Sequence, residues 1–464
     1  MAQIPGGIFK SYDIRGTVPE EINEENIYHI TQAVLSFFET KTGKKNLTIV
    51  TGRDMRISAP TLYPIFKKAL TDAGAHVLDV GLVATPTFYF GVIHLKADAG
   101  IQLTASHNPP NYNGIKIVMR NGTKILKVGG GSGMEVIKNN ALENVHLSGE
   151  GGDEKQINNI VYEELKNAYT IVSPKEIKSL RVVADSGNAM ASTYIEPLFK
   201  DLPGDLVKMN FELDGTFPAH QPDPLIYENY TDLMKRVVQE KADFGIAPDG
   251  DGDRVFFVDE KGHMVPASMI TALVAKELLK KYPGERILYD IRYVMTPKKI
   301  IEECGGVSSI TRVGHAHITN QMNQENGLFG GESSGHMFLR ATGGAESQVT
   351  IILLVAKAIS DSGKPLSTII EDLRRSYESG EFNFKTDKAA EILKALQKQY
   401  SDARISKLDG ISIEYDNWRF NVRTSNTEPL LRLNLEAKTN ELVQKKLVDV
   451  KSFIIGHGAI PYTP

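Results

Sequence analysis

Short apolar segments alternate with longer amphipathic segments over most of the chain. Residues 47–50 and 76–80 are apolar runs typical of buried strands, and residues 85–95 have the length and spacing of a helix. The same alternation returns in residues 181–247 and again in residues 267–360. Strands separated by helices of about 10–15 residues indicate βαβ units and largely parallel sheets.

The C-terminal part of the chain has a different pattern. Asp416-Asn417 joins two segments of alternating polarity, which is typical of a β-hairpin. The predicted strands are 411–415, 418–423 and 430–437, and the predicted flanking helices are 388–399 and 440–454. These elements indicate a separate α+β domain.

Length and pattern together predict several domains. A chain of 464 residues exceeds the roughly 250–300 residues at which one hydrophobic core stops growing. We predict an α/β protein with three α/β units of similar topology, mixed but largely parallel sheets, and one C-terminal α+β unit. The predicted domains are residues 1–150, 151–255, 256–376 and 377–464.

Composition narrows the class of protein. Hydrophobic residues make up 41% and charged residues 24%, which excludes wholesale disorder, and the net charge of −4 argues against a nucleic-acid partner. The single cysteine, Cys304, excludes an intramolecular disulfide and a cysteine-based zinc site. The N-terminal sequence lacks an apolar signal segment, and the longest apolar run, residues 351–355, is far short of a membrane span. We expect a cytoplasmic protein without a membrane partner, and leave monomer or homodimer open.

Four polar segments, one in each predicted domain, carry candidate chemistry. The first, residues 104–109 with the sequence TASHNP, ends an apolar strand and presents the hydroxyl of Ser106 at a rigid edge. His107 beside it and Lys116 shortly after it could supply positive charge. On its own this segment is equally compatible with a simple Asn-Pro turn.

The second segment predicts a metal site. Asp249, Asp251 and Asp253 alternate with glycines, and three converging carboxylates suit a hard divalent cation. An EF-hand is excluded because Arg254 occupies the position of its required glycine and the flanking residues are strand-like. A solvated acidic turn is disfavoured because apolar strands lie on both sides.

The third and fourth segments suit a sugar and a phosphate. Residues 330–336, GGESSGH, offer a carboxylate and hydroxyls to sugar hydroxyls, although a linker would look similar. Residues 423–429, RTSNTEP, offer an arginine fork and hydroxyl donors to an anion, although a polar loop with capping residues would look similar. The glycine-rich residues 128–133 lack the spacing of a phosphate-binding loop and are predicted to lead into a helix at Met134.

With residues 12–16, YDIRG, these segments resemble the α-D-phosphohexomutase superfamily across the whole chain and in chain order. The resemblance implies four domains around a central cleft. YDIRG and Val313-Gly314-His315 are similar to the phosphomannomutase/phosphoglucomutase branch, whereas phosphoglucosamine mutases, the alternative, usually carry a different first segment. The chain departs from that branch at Ser333, where Met is frequent, and at Thr319, where Lys is common. The resemblance therefore leaves the preferred hexose open.

The resemblance also implies an activity and a set of site residues. The reaction is reversible phosphoryl transfer between O1 and O6 of mannose and/or glucose phosphate, through phosphoserine at Ser106 and a hexose 1,6-bisphosphate, which also serves as activator. One Mg²⁺ per chain would be held by the Ser106 phosphate and the three aspartates. The remaining implied residues are Arg15 and Lys116 around the transferring oxygens, His107 and Arg254 beside them, Lys116 and His315 as acid/base candidates, Glu332 and Ser334 for ring hydroxyls, Tyr12 and Arg292 lining the sugar site, and Arg423, Ser425, Asn426 and Thr427 for the distal phosphate.

Two other classes of function are alternatives to this hypothesis. A Mg²⁺-dependent sugar phosphatase would use an Asp249-x-Asp251 motif, but Asp253 stands where that motif needs Thr or Val, and Ser106 would have no role. A non-catalytic sugar-phosphate sensor would be favoured if Ser106 or one of the aspartates were missing, and all are present.

Overall fold

The computed structural model describes residues 3–425 and 430–462, which form four β-sheets flanked by helices. Within these two ranges, no helix is long and apolar enough to cross a membrane.

The first sheet contains seven strands. They are β1 (Ile14–Thr17), β2 (Thr48–Arg53), β3 (His76–Leu82), β4 (Ala99–Leu103), β5 (Tyr112–Asn121), β6 (Lys124–Lys127) and β7 (Asp153–Gln156). The helices of this unit are α1 (Glu24–Thr42), α2 (Ala59–Thr71), α3 (Thr85–His94) and α4 (Met134–Leu142). The strand order is β1-β5-β4-β2-β3-β7, with β6 paired to β5.

The second and third sheets contain five strands each. The second unit comprises β8 (Leu180–Asp185), β9 (Gly204–Met209), β10 (Phe244–Pro248), β11 (Val255–Asp259) and β12 (Met264–Val265), with α5 (Ile160–Tyr169), α6 (Ser192–Asp201) and α7 (Thr231–Gln239). The third comprises β13 (Arg286–Asp290), β14 (Val307–Thr311), β15 (Phe329–Gly331), β16 (Met337–Leu339) and β17 (Ala345–Glu346), with α8 (Ala267–Lys281), α9 (Met295–Glu303), α10 (His315–Glu325), α11 (Gln348–Ser362) and α12 (Leu366–Leu373).

These three sheets share one topology. The orders β12-β11-β10-β8-β9 and β17-β16-β15-β13-β14 correspond strand by strand, and β6-β5-β4-β2-β3 of the first sheet follows the same plan. In each, three parallel strands continue into two antiparallel ones. The predicted α/β class with mixed sheets is confirmed. The loops after β4, β10 and β15 are therefore equivalent, because each leaves the last parallel strand and returns along its antiparallel neighbour.

The fourth sheet is antiparallel throughout its described residues. Its strands, in the order β19-β20-β21-β22-β18-β23, are β18 (Tyr377–Lys385), β19 (Arg404–Ser406), β20 (Ile411–Glu414), β21 (Trp418–Thr424), β22 (Leu430–Ala437) and β23 (Ile460–Tyr462). Helices α13 (Ala389–Gln399) and α14 (Asn440–Gly456) complete the unit. The predicted hairpin and third strand are confirmed.

Two sheets extend past the predicted domain boundaries. Strand β7 pairs with β3, so the first sheet reaches Gln156 instead of ending by residue 150. Strands β11 and β12 belong to the second sheet, which reaches Val265 instead of ending at residue 255. The first difference arises because β7 has the polar, exposed sequence DEKQ, which carries no apolar pattern. The second arises because the acidic loop does not end the domain: the chain returns from it along the same sheet as β11 and β12.

A buried ion pair joins the third and fourth units. Arg419 donates to Glu436 at 2.9 Å, and both side chains are buried. Arg419 also donates to the carbonyls of Ile291 and Arg292, at 3.0 and 3.2 Å. Glu436 accepts from the backbone N–H of Val294 at 2.6 Å, at the start of α9. The pair therefore fixes the segment that carries Arg292.

We expect Glu436→Gln to lower the free energy of unfolding by about 3 kcal/mol, because Arg419 would be left buried without a full counter-charge. Differential scanning calorimetry measures the change. Glu414→Gln is the matched control in the same sheet, since Glu414 pairs with the exposed Arg404 and such pairs contribute little. Equal shifts in the two variants would contradict the importance of the buried pair.

A buried carboxyl lies between the first and second units. Glu164 in α5 is 1% exposed, and its Oε2 accepts a hydrogen bond from Thr87 Oγ1 at 2.5 Å. Its Oε1 has no hydrogen-bond partner among the described residues. Burial raises the pKa of Glu164 to about 7. The folded chain therefore holds a proton that the unfolded chain releases at lower pH.

We expect this residue to make the free energy of unfolding fall by about 3 kcal/mol as the pH rises from about 4.5 to about 7, with no further loss above that. The sign follows because the folded state binds more protons in that window. Urea unfolding at pH 5 and pH 8 tests it, since Glu164→Gln should remove this component. Identical pH dependence in the wild type and the variant would refute the assignment.

Candidate active site

Ser106 lies in the loop that follows β4, buried and with a left-handed backbone (φ 50°). Its Oγ donates to Asp249 Oδ2 at 3.2 Å and lies 3.2 Å from His107 Nδ1. Burial, together with the positive charges of Arg254 and Arg15, holds the pKa of His107 well below its usual range. The neutral form of His107 is therefore favoured.

Arg56 binds the backbone of the serine loop, a role that no local sequence pattern predicts. Its guanidinium is fully buried and donates to four backbone carbonyls of the loop, those of Ser106, Asn108, Pro109 and Tyr112, at 2.8, 2.6, 2.7 and 2.9 Å. Asp54 balances its charge at 3.3 Å. The position of Arg56 after β2 does indicate proximity to Ser106, which follows β4. The two strands are parallel neighbours, so their carboxyl ends lie at the same edge of the sheet.

The three aspartates converge on the loop between β10 and β11. Asp249, Asp251 and Asp253 are buried, and one carboxylate oxygen from each lies within 4.8 Å of the others. Burial, together with the neighbouring carboxylates, raises the pKa of Asp249 against the opposing effect of Arg254, which donates to it at 2.9 Å. These oxygens could hold a metal ion, as the alternation of acids and glycines predicted.

Lys116 reaches this cluster from β5 of the first unit. Its Nζ donates to Asp251 Oδ2 and Asp253 Oδ2, both at 2.5 Å. Burial alone would lower the pKa of Lys116, but these two carboxylates raise it well above its usual range. Lys116 is therefore held as an ammonium that neutralises these carboxylates.

Arg15 and Arg254 flank the serine loop. Arg15 donates to Asn108 Oδ1 at 2.6 Å and forms an ion pair with Asp13 at 2.7 Å. Arg254, besides its contact with Asp249, donates to Asp223 at 3.2 Å. Asp223 is a second residue that the sequence analysis missed, because it lies in an irregular segment 26 residues before Asp249.

The third loop, after β15, adds Glu332, Ser334 and His336. His336 lies 3.3 Å from Asp253 and 3.4 Å from Glu332, and so links the third loop to the aspartate loop. Burial would lower the pKa of His336, but these carboxylates raise it to about 9. Burial would raise the pKa of Glu332, but His336 and Arg292 lower it to about 2. His336 lies in the predicted sugar segment, although no role was assigned to it.

Three further predicted residues surround Glu332. Arg292 pairs with Asp290 at 2.7 Å and lies 3.9 Å from Glu332. The rings of Tyr12 and His315 pack with centroids 4.9 Å apart, next to Gly314, whose N–H donates to Glu332 at 2.7 Å. Burial and the nearby cations lower the pKa of His315 well below its usual range.

The predicted phosphate segment is described in part. Arg423 at the end of β21 donates to Glu381 at 2.7 Å, and the backbone N–H of Ser425 donates to the Leu430 carbonyl at 2.8 Å. Asn426 and Thr427 lie outside the described residues. The structure thus brings together Ser106, the aspartates, Lys116 and the loop after β15, and places Arg423 in the fourth unit beside a carboxylate.

Models of the four domains of phosphoglucomutase/phosphomannomutase match the chain in order. Alpha/beta/alpha domain I matches residues 6–128, domain II residues 162–262, domain III residues 266–377, and the C-terminal domain residues 381–451.

Individual relatives are similar to this chain over nearly its full length. A Xanthomonas campestris pv. campestris (strain B100) protein named phosphohexose mutases is 34% identical over 454 residues, covering 97% of this chain and 99% of that protein. An Escherichia coli phosphomannomutase is 37% identical over 444 residues, covering 93% and 95%. The solved structure of a phosphoglucomutase/phosphomannomutase family protein from Burkholderia thailandensis superposes with a TM-score of 0.87 at 27% identity, covering 99% of this chain and 100% of that one.

The fold and these relatives define an enzyme of the phosphohexomutase class, as the resemblance implied. Within that class, the chain belongs to the phosphoglucomutase/phosphomannomutase family.

Close approach of the serine and aspartate loops generates a prediction. A Cβ on Gly250 would lie 2.6 Å from the Ser106 carbonyl oxygen, so Gly250→Ala should push the two loops apart. We expect kcat/KM to fall at least about tenfold, because small displacements of reacting groups cost large factors in rate. Gly7→Ala, at a position with no atom near the added Cβ, is the control. Steady-state kinetics and thermal unfolding measure both variants, and full activity in Gly250→Ala would show that the close approach is dispensable.

Proposed function

We propose that the chain interconverts the 1- and 6-phosphates of mannose and/or glucose through a phosphoserine at Ser106 and a hexose 1,6-bisphosphate. The observation that carries this proposal is the contact of Ser106 Oγ with Asp249 at 3.2 Å, in a site built by equivalent loops of three sheets. A hydrolytic role for Asp249 leaves this hydroxyl without a function, so the phosphatase alternative has no support from the contact.

The transfer needs one bond exchange in each half-reaction. The bond between phosphorus and Ser106 Oγ breaks, a bond from phosphorus to a sugar hydroxyl oxygen forms, and the proton lost by the sugar hydroxyl is matched by one that Ser106 Oγ gains. In the second half-reaction the other phosphate of the bisphosphate returns to Ser106. Lys116, Arg254 and Arg15 supply the positive charge that such a transfer requires, since phosphoryl transfer depends on positioning and electrostatics.

Asp249, Asp251 and Asp253, with the Ser106 phosphate, would hold one Mg²⁺. Their all-oxygen donor set suits a hard cation, and Asp251 Oδ1 has no hydrogen-bond partner among the described residues. A bound Mg²⁺ would offset the charge of the transferring phosphoryl group.

The third and fourth units would recognise the rest of the substrate. Glu332 is ionised and buried, and it accepts a hydrogen bond from Ser334 at 3.4 Å, a pair suited to two ring hydroxyls. Tyr12 and Arg292 line the same region, and His315 is an acid/base candidate there. The distal phosphate would be bound by Arg423 and Ser425, with Asn426 and Thr427.

A mannose or glucose phosphate is favoured over glucosamine phosphate. The first segment, YDIRG, is similar to the phosphomannomutase/phosphoglucomutase branch, and relatives with up to 37% identity are named phosphomannomutase. Because one serine must meet both ends of the sugar, the bisphosphate has to turn about between half-reactions. Bisphosphate that dissociates during this reorientation leaves Ser106 without phosphate. Added hexose 1,6-bisphosphate should restore the phosphoserine and so act as activator.

Ser106→Ala should reduce mutase turnover at least about 10³-fold without unfolding the protein, because the phosphate carrier is removed. A coupled assay with glucose and mannose 1-phosphates measures turnover. Mass spectrometry of the active wild type should locate a single phosphate on Ser106.

Ser173→Ala is the control, since Ser173 caps the short helix Pro174–Glu176 and its hydrogen bonds are to Lys175 and Glu176. An active wild type that never carries phosphate on Ser106, before or during turnover, would refute the proposal. Release of inorganic phosphate in place of isomer would favour the phosphatase alternative.

A further inference from the structure

Glu381 places a carboxylate between Arg423, of the proposed distal phosphate site, and Arg432. Its Oε2 accepts from Arg423 Nη2 at 2.7 Å, and its Oε1 accepts from Arg432 Nη1 at 3.3 Å. The Arg423 side chain is 5% exposed and that of Glu381 is 27% exposed. The carboxylate is therefore held against a buried arginine while remaining within reach of solvent.

The strand register explains this arrangement. Arg423 in β21 lies directly opposite Arg432 in β22, and like charges in that position repel. Glu381 in β18 pairs with Asn434, two residues beyond Arg432 on the same face of β22. A β-bulge between Glu378 and Glu381, with Gly380 at φ 78°, sets that register, and a shift of one residue would turn the carboxylate to the opposite face.

The contact uses only part of the Arg423 guanidinium. Nη2 donates to Glu381, whereas the buried Nε has no hydrogen-bond partner among the described residues. Bidentate binding of a phosphate by an arginine uses two parallel N–H groups. Nη2 carries two N–H groups, so a phosphate that binds through Nε and Nη2 would share Nη2 with Glu381 and lie close to its carboxylate.

The charge of Glu381 also opposes the binding of a phosphate at Arg423. Burial lowers the pKa of Arg423, Glu381 opposes that effect, and Arg292 and Arg432 lower the pKa further. Three guanidinium groups thus share one region, and Glu381 offsets part of their charge. An arriving phosphate dianion would be attracted by the arginines and repelled by this carboxylate.

We propose that Glu381 is an internal competitor for the distal phosphate. Its carboxylate pairs with Arg423 when no phosphate is bound, and its negative charge opposes the phosphate that binds the same guanidinium. The inference rests on the proposed role of Arg423 and adds a residue that limits how tightly that site grips phosphate. A limited grip lets the bisphosphate leave the fourth unit and turn about, so Glu381 is a positioning residue that does not touch the reacting atoms.

Glu381→Gln tests this directly, because it removes the charge and keeps the shape. With the full chain, saturating Mg²⁺ and constant ionic strength, inorganic phosphate serves as competitive inhibitor of hexose 1-phosphate turnover. We expect its inhibition constant and the KM to fall about tenfold, because the loss of one like charge nearby favours the bound dianion. We expect kcat to fall as well, because the bisphosphate is released more slowly. Glu414→Gln, which removes a carboxylate from an exposed arginine pair of the same sheet, should change none of these values.

A purely structural role for Glu381 predicts the opposite result. If the carboxylate only stabilises the arginine pair, Glu381→Gln should weaken phosphate inhibition or leave it unchanged in a folded enzyme, and either outcome overturns the proposal. Should Glu381→Gln not fold, Glu381→Asp is measured instead. It keeps the charge but withdraws it from Arg423, and it should also tighten phosphate binding; unchanged or weaker inhibition overturns the proposal.

Arg423→Ala separates this inference from the proposed function. Weaker phosphate inhibition in Arg423→Ala, with unchanged inhibition in Glu381→Gln, would reject the role of Glu381 and keep the distal site. If Arg423→Ala leaves phosphate inhibition unchanged in both the wild type and Glu381→Gln, the distal site itself is rejected. Weaker inhibition in Arg423→Ala together with tighter inhibition in Glu381→Gln supports both.

Discussion

Three carboxylates buried within a few ångströms of one another repel strongly unless cations meet them, and the chain supplies those cations from three different units. Arg254 meets Asp249 within the second unit, Lys116 arrives from the first, and His336 arrives from the third. Burial of uncompensated charge costs several kcal/mol per group, so displacing any of these partners is unfavourable. Neutralisation of the aspartates therefore holds three domains around one point, and the position of Ser106 depends on it.

The shared topology explains how three separate sheets can contribute to one site. In each sheet the chemically active loop leaves the last parallel strand and returns along an antiparallel neighbour. The bridge between Arg254 and His336 joins two of these loops directly, and the absence of a side chain on Gly250 lets the first approach the second. The three loops have equivalent positions and different contents, namely a hydroxyl, a set of carboxylates, and a carboxylate beside a hydroxyl.

Much of this arrangement could be predicted from local sequence patterns. The aspartates alternate with glycines, Ser106 ends an apolar strand, and the hairpin before β22 has a recognisable turn. What could not be predicted depends on contacts between distant residues. Arg56 serves carbonyls 50 to 56 positions further along the chain, and Glu381 reaches Arg423 only because a bulge sets the register of β18. Strand β7 could not be predicted because its four residues are polar and exposed and so show no apolar pattern.

The placement of the sugar loop has a consequence for how such an enzyme can diverge. Ser333 and Thr319, where the chain departs from its branch, both lie in the third unit, whereas Ser106 and the aspartates lie in the first and second. Ser333 contacts Asp290, and Thr319 is buried in α10. The structural changes caused by a substitution at either position would therefore fall within the third sheet and its helices. Under the proposed division of roles, a lineage can explore new hexoses by mutation in that unit while the machinery for moving phosphate is inherited intact.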